Sequence, residues 1–492
     1  MMSEKDVVVG PESSITEIIE YQTAGQVTAE ELVYRCFERI AEIDSSGPEL
    51  NSVLQLNPEA PAIAAGLDLW RESGKPLGLL HGVPVMIKGN IDTGDTMCTS
   101  AGTLALAESY APDDAYLVTR LREAGAVIIG KTNLTEMANF MTKGMPNGYS
   151  TVGGQVRNPY GADLDPGGSS TGSAVAVAAG LCAGAVGTET CGSILSPAVA
   201  NMVVGVKPTV GLVSRDGIVP ISYSQDTAGP IARTVTDAAR LLAVIRGMDS
   251  ADRATAASAE HTGIDYGDYL IEDLSDLRIG IPRKVFWERL DDSQKRIAEM
   301  MIQLLRENGA EVVDPADITT APDIGPSKVM LYEFKPAIQN YLHSLGPQAP
   351  IRTLLDLVRF NRKHAGRCLK YGQTTLLQAN AASGRLVEAE YIESRLDDLR
   401  LCRTEGIDAT LRSMELDVLL FPSITGCVIG ARAGYPTVVV PVGFAESKGR
   451  ERPYGVSFCG PAFSEAVLLR CAYSLEQSLE ARTPPGLGVD DG

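Results

Sequence analysis

Residues 166–196 read PGGSSTGSAVAVAAGLCAGAVGTETCGSILS, two Gly/Ser-rich loops separated by a run of small residues. Gly and Ser leave the main chain uncovered, so the two loops can fold back on each other and bring Ser169 towards Ser193. A serine hydroxyl is a weak nucleophile until a neighbour takes its proton, and backbone N–H groups in such loops can close around a developing oxyanion. The pattern therefore asks for a base.

Histidine is the usual base, but the chain has four, and His261, His343 and His364 lie far downstream with no strand-borne serine elbow near them. The one formal GxSxG match, GSSTG at 168–172, follows the polar tract GADLDP where a hydrolase elbow needs an apolar strand. Lysine is the alternative. In LLHGVPVMIKGNIDTGDT, Lys88 ends the apolar run Val83 to Ile87 and is followed by Gly89 and Asn90, which reads as a buried strand carrying an amine into the interior. A free lysine titrates at ~10.4, so a base near neutrality needs a drop of about 3 units, on the order of 4 kcal/mol. Burial disfavours the ammonium and can supply it. Ser170 to Cys182 is rich in Ala and predicted helical, which puts Ser169 at a helix N-terminus whose partial positive charge acts in the same direction.

Taken one at a time these features have plainer readings, a flexible linker and a solvated strand-end lysine. Their order changes the reading: lysine, serine loop, then GTETCGSILSP. That set resembles the amidase signature family, whose members carry a Lys-Ser-Ser triad. The resemblance extends through LHGVPVMIKGNID, GAVIIGKTNLTEMAN, PGGSSTGSAVAVAAG, GTETCGSILSPA, VGVKPTVGLVSRDGIVP and QDTAGPIARTV. EFKPAIQNYL, EGIDATLRSMELDVLLFPSITG and AGYPTVVVPVGF are similar to tracts of bacterial peptide amidases, which remove the C-terminal amide from peptides.

The resemblance implies Ser193 as nucleophile, Ser169 as a bridging serine after a cis peptide, and Lys88 as base. It implies an oxyanion hole from the N–H groups of Thr190, Cys191, Gly192 and Ser193. Thr188 matches a hydroxyl that steadies the bridging serine, and Ser170 is a second supporting residue. Three positions depart from the broad pattern: Cys191 and Thr171 where Gly is common, and Leu195 where Arg is common. The Leu195 change removes an anchor for acidic substrates.

For the fold, the resemblance implies one α/β domain over 1–492, a mixed twisted sheet with helices on both faces. Its core is expected at about 60–250 and 415–480, and a variable helical cap at about 262–412. Local patterns agree. Leu117, Val118 and Leu121 share a helical face before Gly125 and the strand Ala126 to Ile129. Ile297, Met300, Met301, Leu304 and Leu305 form a stripe before Gly309 and a strand from Glu311 to Val313. Thr28 with Glu31 makes a capping box for a helix through Arg39. Asp226, Tyr332 and Glu333 are the candidate substrate contacts, although Tyr332, Glu333 and Phe334 also fit an amphipathic helix face.

The nine cysteines are odd in number and contain no CxxC, so neither a disulfide framework nor a metal site is expected, and no cofactor is called for. MMSEKDVVVGPESS lacks the basic start and apolar core of a signal peptide, and no segment reads as a membrane span. A cytosolic protein is expected, as a monomer or homodimer. The net charge of −19 opposes unaided binding to nucleic acid or an anionic membrane. Two rival readings stand beside the peptide amidase. One is the amidase subunit of a glutamine-dependent tRNA amidotransferase, and the other is a non-catalytic binding protein on the same fold.

Overall fold

Runs of apolar residues buried on both faces form the centre of a sheet, and the chain has several. The computed structural model describes residues 9–261, 263–447 and 449–488. Residues 1–8, in the stretch read for a signal peptide, and Thr262, the expected start of the cap, lie outside them. Eleven strands form one sheet: β1 (Val53–Leu56), β2 (Pro84–Lys88), β3 (Val127–Thr132), β4 (Gly184–Glu189), β5 (Val204–Lys207), β6 (Thr227–Ala232), β7 (Arg278–Gly280), β8 (Glu311–Val313), β9 (Val418–Pro422), β10 (Thr437–Ser447) and β11 (Arg450–Cys459). Their order is β1-β3-β2-β4-β6-β5-β10-β11-β9-β7-β8. β2 runs parallel to both β3 and β4, while β4 and β6 are antiparallel. The sheet is therefore mixed, as expected.

Every residue of β2, β3 and β4 is buried, as strands covered on both faces require. Alternation sorts their side chains: Val85 and Ile87 join one apolar cluster, Met86 the other. The helix Thr171–Ala178 lies in the second cluster and is buried over its full length, which matches its lack of a polar face. It is shorter than the predicted Ser170–Cys182, because the chain turns at Gly180 (φ 66°) to enter β4. Gly172 is where this helix meets the neighbouring main chain. A β-carbon there would lie 2.3 Å from the Ser52 carbonyl oxygen and 2.4 Å from that of Asn133.

The helix–strand unit before β3 is as read, with Leu117, Val118 and Leu121 buried, and both arms of the Thr28/Glu31 capping box are present. In the helix Asp292–Glu307, Met301 and Leu305 are buried, but Met300 sits at the edge of the arc and faces solvent. The expected cap is not wholly a cap, since β7 and β8 from this region extend the sheet. Phe334, Ile338, Leu342, Leu357 and Leu376 form a separate apolar cluster with Met137, Phe140, Val219 and Ile221, which come from segments around the site.

Candidate active site

Which lysine reaches the serines is decided by strand register. Lys88 pairs with Thr132 across the parallel β2/β3 ladder, so the two side chains share a face. That face is covered by the helix Thr171–Ala178, where Thr132 Oγ1 and Ser173 Oγ lie 2.7 Å apart. Lys131 pairs instead with Ile87 and points to the other side, donating to Thr99 Oγ1 at 2.8 Å.

Lys88 is fully buried. Its Nζ donates to Ser169 Oγ at 2.8 Å, Thr188 Oγ1 at 2.9 Å and the Thr188 carbonyl at 3.2 Å. Three acceptors match the three N–H bonds of an ammonium. In the neutral amine one of those contacts must reverse. The carbonyl can only accept, and Thr188 Oγ1 already accepts from Asn90 Nδ2 at 3.1 Å as well. The lone pair of neutral Lys88 therefore faces a hydroxyl proton, that of Ser169 or of Thr188. Burial lowers the lysine from its ordinary 10.5 to about 7, while the Glu189 and Asp226 carboxylates pull it upward.

Thr188 was expected to steady the bridging serine directly. Its hydroxyl binds Lys88 and Asn90 instead, so it orients the amine. The serine loop is held by Ser170. Ser170 Oγ donates to the Thr188 carbonyl at 3.0 Å and accepts from the Thr188 N–H at 3.1 Å. The Ser170 N–H donates to the Ser193 carbonyl at 2.9 Å and so joins the two loops. The Gly168–Ser169 peptide is cis, as the resemblance implied. Ser169 is sealed from solvent, whereas Ser193 keeps 8% of its surface exposed, the arrangement a proton relay behind an accessible nucleophile would need.

The turn bearing Ser193 is organised by Glu189. This buried carboxylate accepts the N–H groups of Gly192 (2.7 Å), Ile194 (2.6 Å) and Leu195 (3.0 Å), bracketing Ser193 from both sides. Gly192 takes φ 80° there, a conformation that favours glycine. The expected oxyanion hole is corrected by this, because the Gly192 N–H is already given to Glu189. The N–H groups of Cys191 and Ser193 have no acceptor among the described residues, leaving Thr190, Cys191 and Ser193 as candidate donors.

Asp226 stands behind this turn. Its carboxylate accepts from Thr190 Oγ1 at 2.6 Å and from the N–H groups of Ile221 (2.7 Å) and Ser222 (2.8 Å). Burial holds it above the usual carboxylate range. Its hydrogen bonds fasten Thr190. Glu333 accepts from Ser222 Oγ (2.5 Å), Ser224 N (3.1 Å), Ser224 Oγ (3.0 Å) and Tyr391 OH (2.9 Å), tying the helix Val329–Ser344 to the 222–224 loop. Tyr332 is directed elsewhere, to Glu390 Oε2 at 2.6 Å, so the structure does not bring it to the serines. Phe334 is core, its ring centroid 4.6 Å from that of Phe140.

Sequence reasoning missed Glu189 and Asn90 as parts of the site. The signal for Glu189 was an acidic residue at the end of an apolar strand, directly before a Gly-containing turn into a helix. Leu195 is fully buried in the core, its N–H given to Glu189, so it offers a substrate no polar group. Among the described residues no group of three or more His, Cys, Asp or Glu side chains is arranged to hold a metal ion.

Known proteins resemble the chain along nearly its whole length. The Amidase family profile matches residues 31–469. The crystal structure of native peptide amidase from Stenotrophomonas maltophilia superposes with a TM-score of 0.90 at 43% identity, covering 97% of this chain and 99% of that one. A probable amidase of Arabidopsis thaliana is 38% identical over 96% of this chain and 91% of its own length. A glutamyl-tRNA(Gln) amidotransferase subunit of Halorhodospira halophila is 33% identical over 95% of this chain and 97% of its own. With a matched profile over most of its length and relatives aligned almost end to end, the chain belongs to the amidase signature family of hydrolases and is an amidase.

Proposed function

We propose that this amidase hydrolyses a neutral primary carboxamide, the C-terminal amide of a peptide or a small amide, through an acyl-enzyme on Ser193. Ser193 Oγ attacks the amide carbon while its proton passes to Ser169 and the Ser169 proton passes to neutral Lys88. The oxyanion is held by N–H groups of the 190–193 turn. Lys88 returns the proton by the same path to the departing nitrogen, which leaves as ammonia, and water then cleaves the ester with the relay run again. The observation that carries the reading is a fully buried lysine 2.8 Å from Ser169 with its other N–H bonds committed to Thr188.

The substrate class rests on likeness and on Leu195. The peptide amidase of S. maltophilia is the more similar of the two named activities, at 43% identity against 33% for the amidotransferase subunit. An apolar residue at 195 favours neutral amides over acidic ones. The whole chain is taken as a single domain, since strands from Val53 to Cys459 share one sheet. The enzyme is read as a cytosolic protein, and its net charge of −19 speaks against unaided binding to nucleic acid. Ammonia release by the isolated protein from peptide amides, small amides, malonamate and glutamine tests the assignment. Peptide amides and neutral amides are expected to lead. Turnover of glutamine alone, appearing only with added partner subunits, would favour the amidotransferase reading, and preference for malonamate would refute the role given to Leu195.

A further inference from the structure

Two thiols that the proposed relay does not use lie together at the oxyanion turn. Cys191 is part of that turn, and Cys427 opens the helix Cys427–Ala433 facing it. The Cys427 sulfur is 3.7 Å from where a β-carbon on Gly192 would sit, next to Cys191 in the turn, and the Cys191 thiol is close enough to act on the Cys427 thiol electrostatically. Both are partly accessible, whereas Cys182, Cys368, Cys402, Cys459 and Cys471 are buried.

We infer that Cys191 and Cys427 form a site of oxidative modification, at which a hydroperoxide converts the pair to a disulfide and reversibly disables the oxyanion turn. The chemistry balances in two steps. The Cys191 sulfur attacks the peroxide, giving a sulfenic acid while the O–O bond breaks and the hydroperoxide leaves as an alcohol, or as water from hydrogen peroxide. Cys427 then displaces hydroxide from that sulfur, and with the thiol proton this departs as a second water. The thiols lose two electrons and the peroxide gains them. The order of attack follows from the adjoining Cys191 thiol and from burial, which hold the Cys427 thiol well above its usual range and keep it protonated.

The bond would pull the Cys191 main chain towards the helix. Cys191 N–H is one of the candidate oxyanion donors, and losing one such donor costs about a hundredfold or more in kcat. This consequence for turnover rests on the proposed function, whereas formation of the cross-link does not. The test treats the whole protein with limiting hydrogen peroxide. Non-reducing peptide mapping, ammonia release and recovery with dithiothreitol are then followed in wild type and in Cys427→Ser. We expect a Cys191–Cys427 cross-linked peptide in wild type, an activity loss of about a hundredfold in the cross-linked fraction, and recovery on reduction. Cys427→Ser should show neither the cross-link nor the reducible loss. Mapping on wild type decides the site even if the variant fails to fold. No cross-link, or one joining Cys191 to Cys402, overturns the proposal. A Cys191–Cys427 link with full activity retained overturns its effect on the turn and leaves the relay reading in place.

Discussion

Replacing Lys88 with methionine keeps a side chain of similar length and removes the amine, and its effect can be worked from the environment. The drop from 10.5 to about 7 is about 3.5 units, about 5 kcal/mol of preference for the neutral form. At pH 7 such a lysine is about half neutral, against roughly three in ten thousand for an ordinary one, so burial supplies roughly a thousandfold more base. The acylation rate should rise with pH and level off above about 7. Pre-steady-state acylation with an activated ester, followed over pH, reads this directly. Lys88→Met should lose the limb and most of the rate. Lys88→Arg should be nearly as damaging, because guanidinium stays protonated.

Stability supplies an independent reading of the same group. The unfolded lysine binds a proton up to about pH 10.5 while the folded one releases it near 7, so the unfolded state holds more protons across that window. The penalty on folding is then complete below about pH 7 and fades as pH rises towards 10.5. Lys88→Met lacks it. Its stability relative to wild type should therefore fall by about 2 kcal/mol between pH 7 and pH 9, measured by denaturant unfolding of both proteins. An acid limb that survives in Lys88→Met, or an arginine variant with near-normal acylation, would refute the relay. A stability difference flat with pH would refute the depressed lysine.

Ser193→Ala should abolish labelling by a fluorophosphonate while leaving the circular dichroism unchanged. Ser169→Ala should retain more activity than Ser193→Ala, since water can partly bridge Lys88 to Ser193, and the opposite order would mean that the two serines exchange roles. Glu189→Gln should lower kcat because a carboxamide offers one acceptor oxygen to three N–H groups. It should also move the acid limb to lower pH, since the lost charge had held Lys88 up, and an unmoved limb in kinetic titration would count against that link. Asn90→Ala frees a lone pair on Thr188 Oγ1 and should slow acylation with little change in KM. A change confined to KM would place Asn90 in substrate binding instead.

What could be read from residues alone was set by spacing along a strand or a turn. Lys88 at the end of its apolar run, Ser169 before a small-residue helix and the capping box at Thr28 are all local features, and each stands where expected. The physical reason for Lys88 lies in the ladder register, which turns it towards the helix and turns Lys131, the penultimate residue of its own buried strand, away. The Gly192 N–H was misassigned because its acceptor is a side chain three residues earlier whose reach depends on the turn's shape. β7 is three residues long, too short for a period to declare itself, whereas the equally short β8 was legible from the helical stripe and Gly309 that precede it. Tyr332 and Glu333 are adjacent on one helix, so their side chains diverge by about 100°, and only Glu333 faces the core.

The helix Thr171–Ala178 has no free side. Bound through Gly172 against the main chain of Ser52 and Asn133, it leaves no volume into which a larger side chain could be received. Innovation in this enzyme is therefore confined by geometry. Variation along that helix should yield misfolded protein, whereas the exposed positions of Val329–Ser344 meet no such limit. A lineage built on such a scaffold inherits this helix as a fixed part and can change freely only in the segments packed outside it.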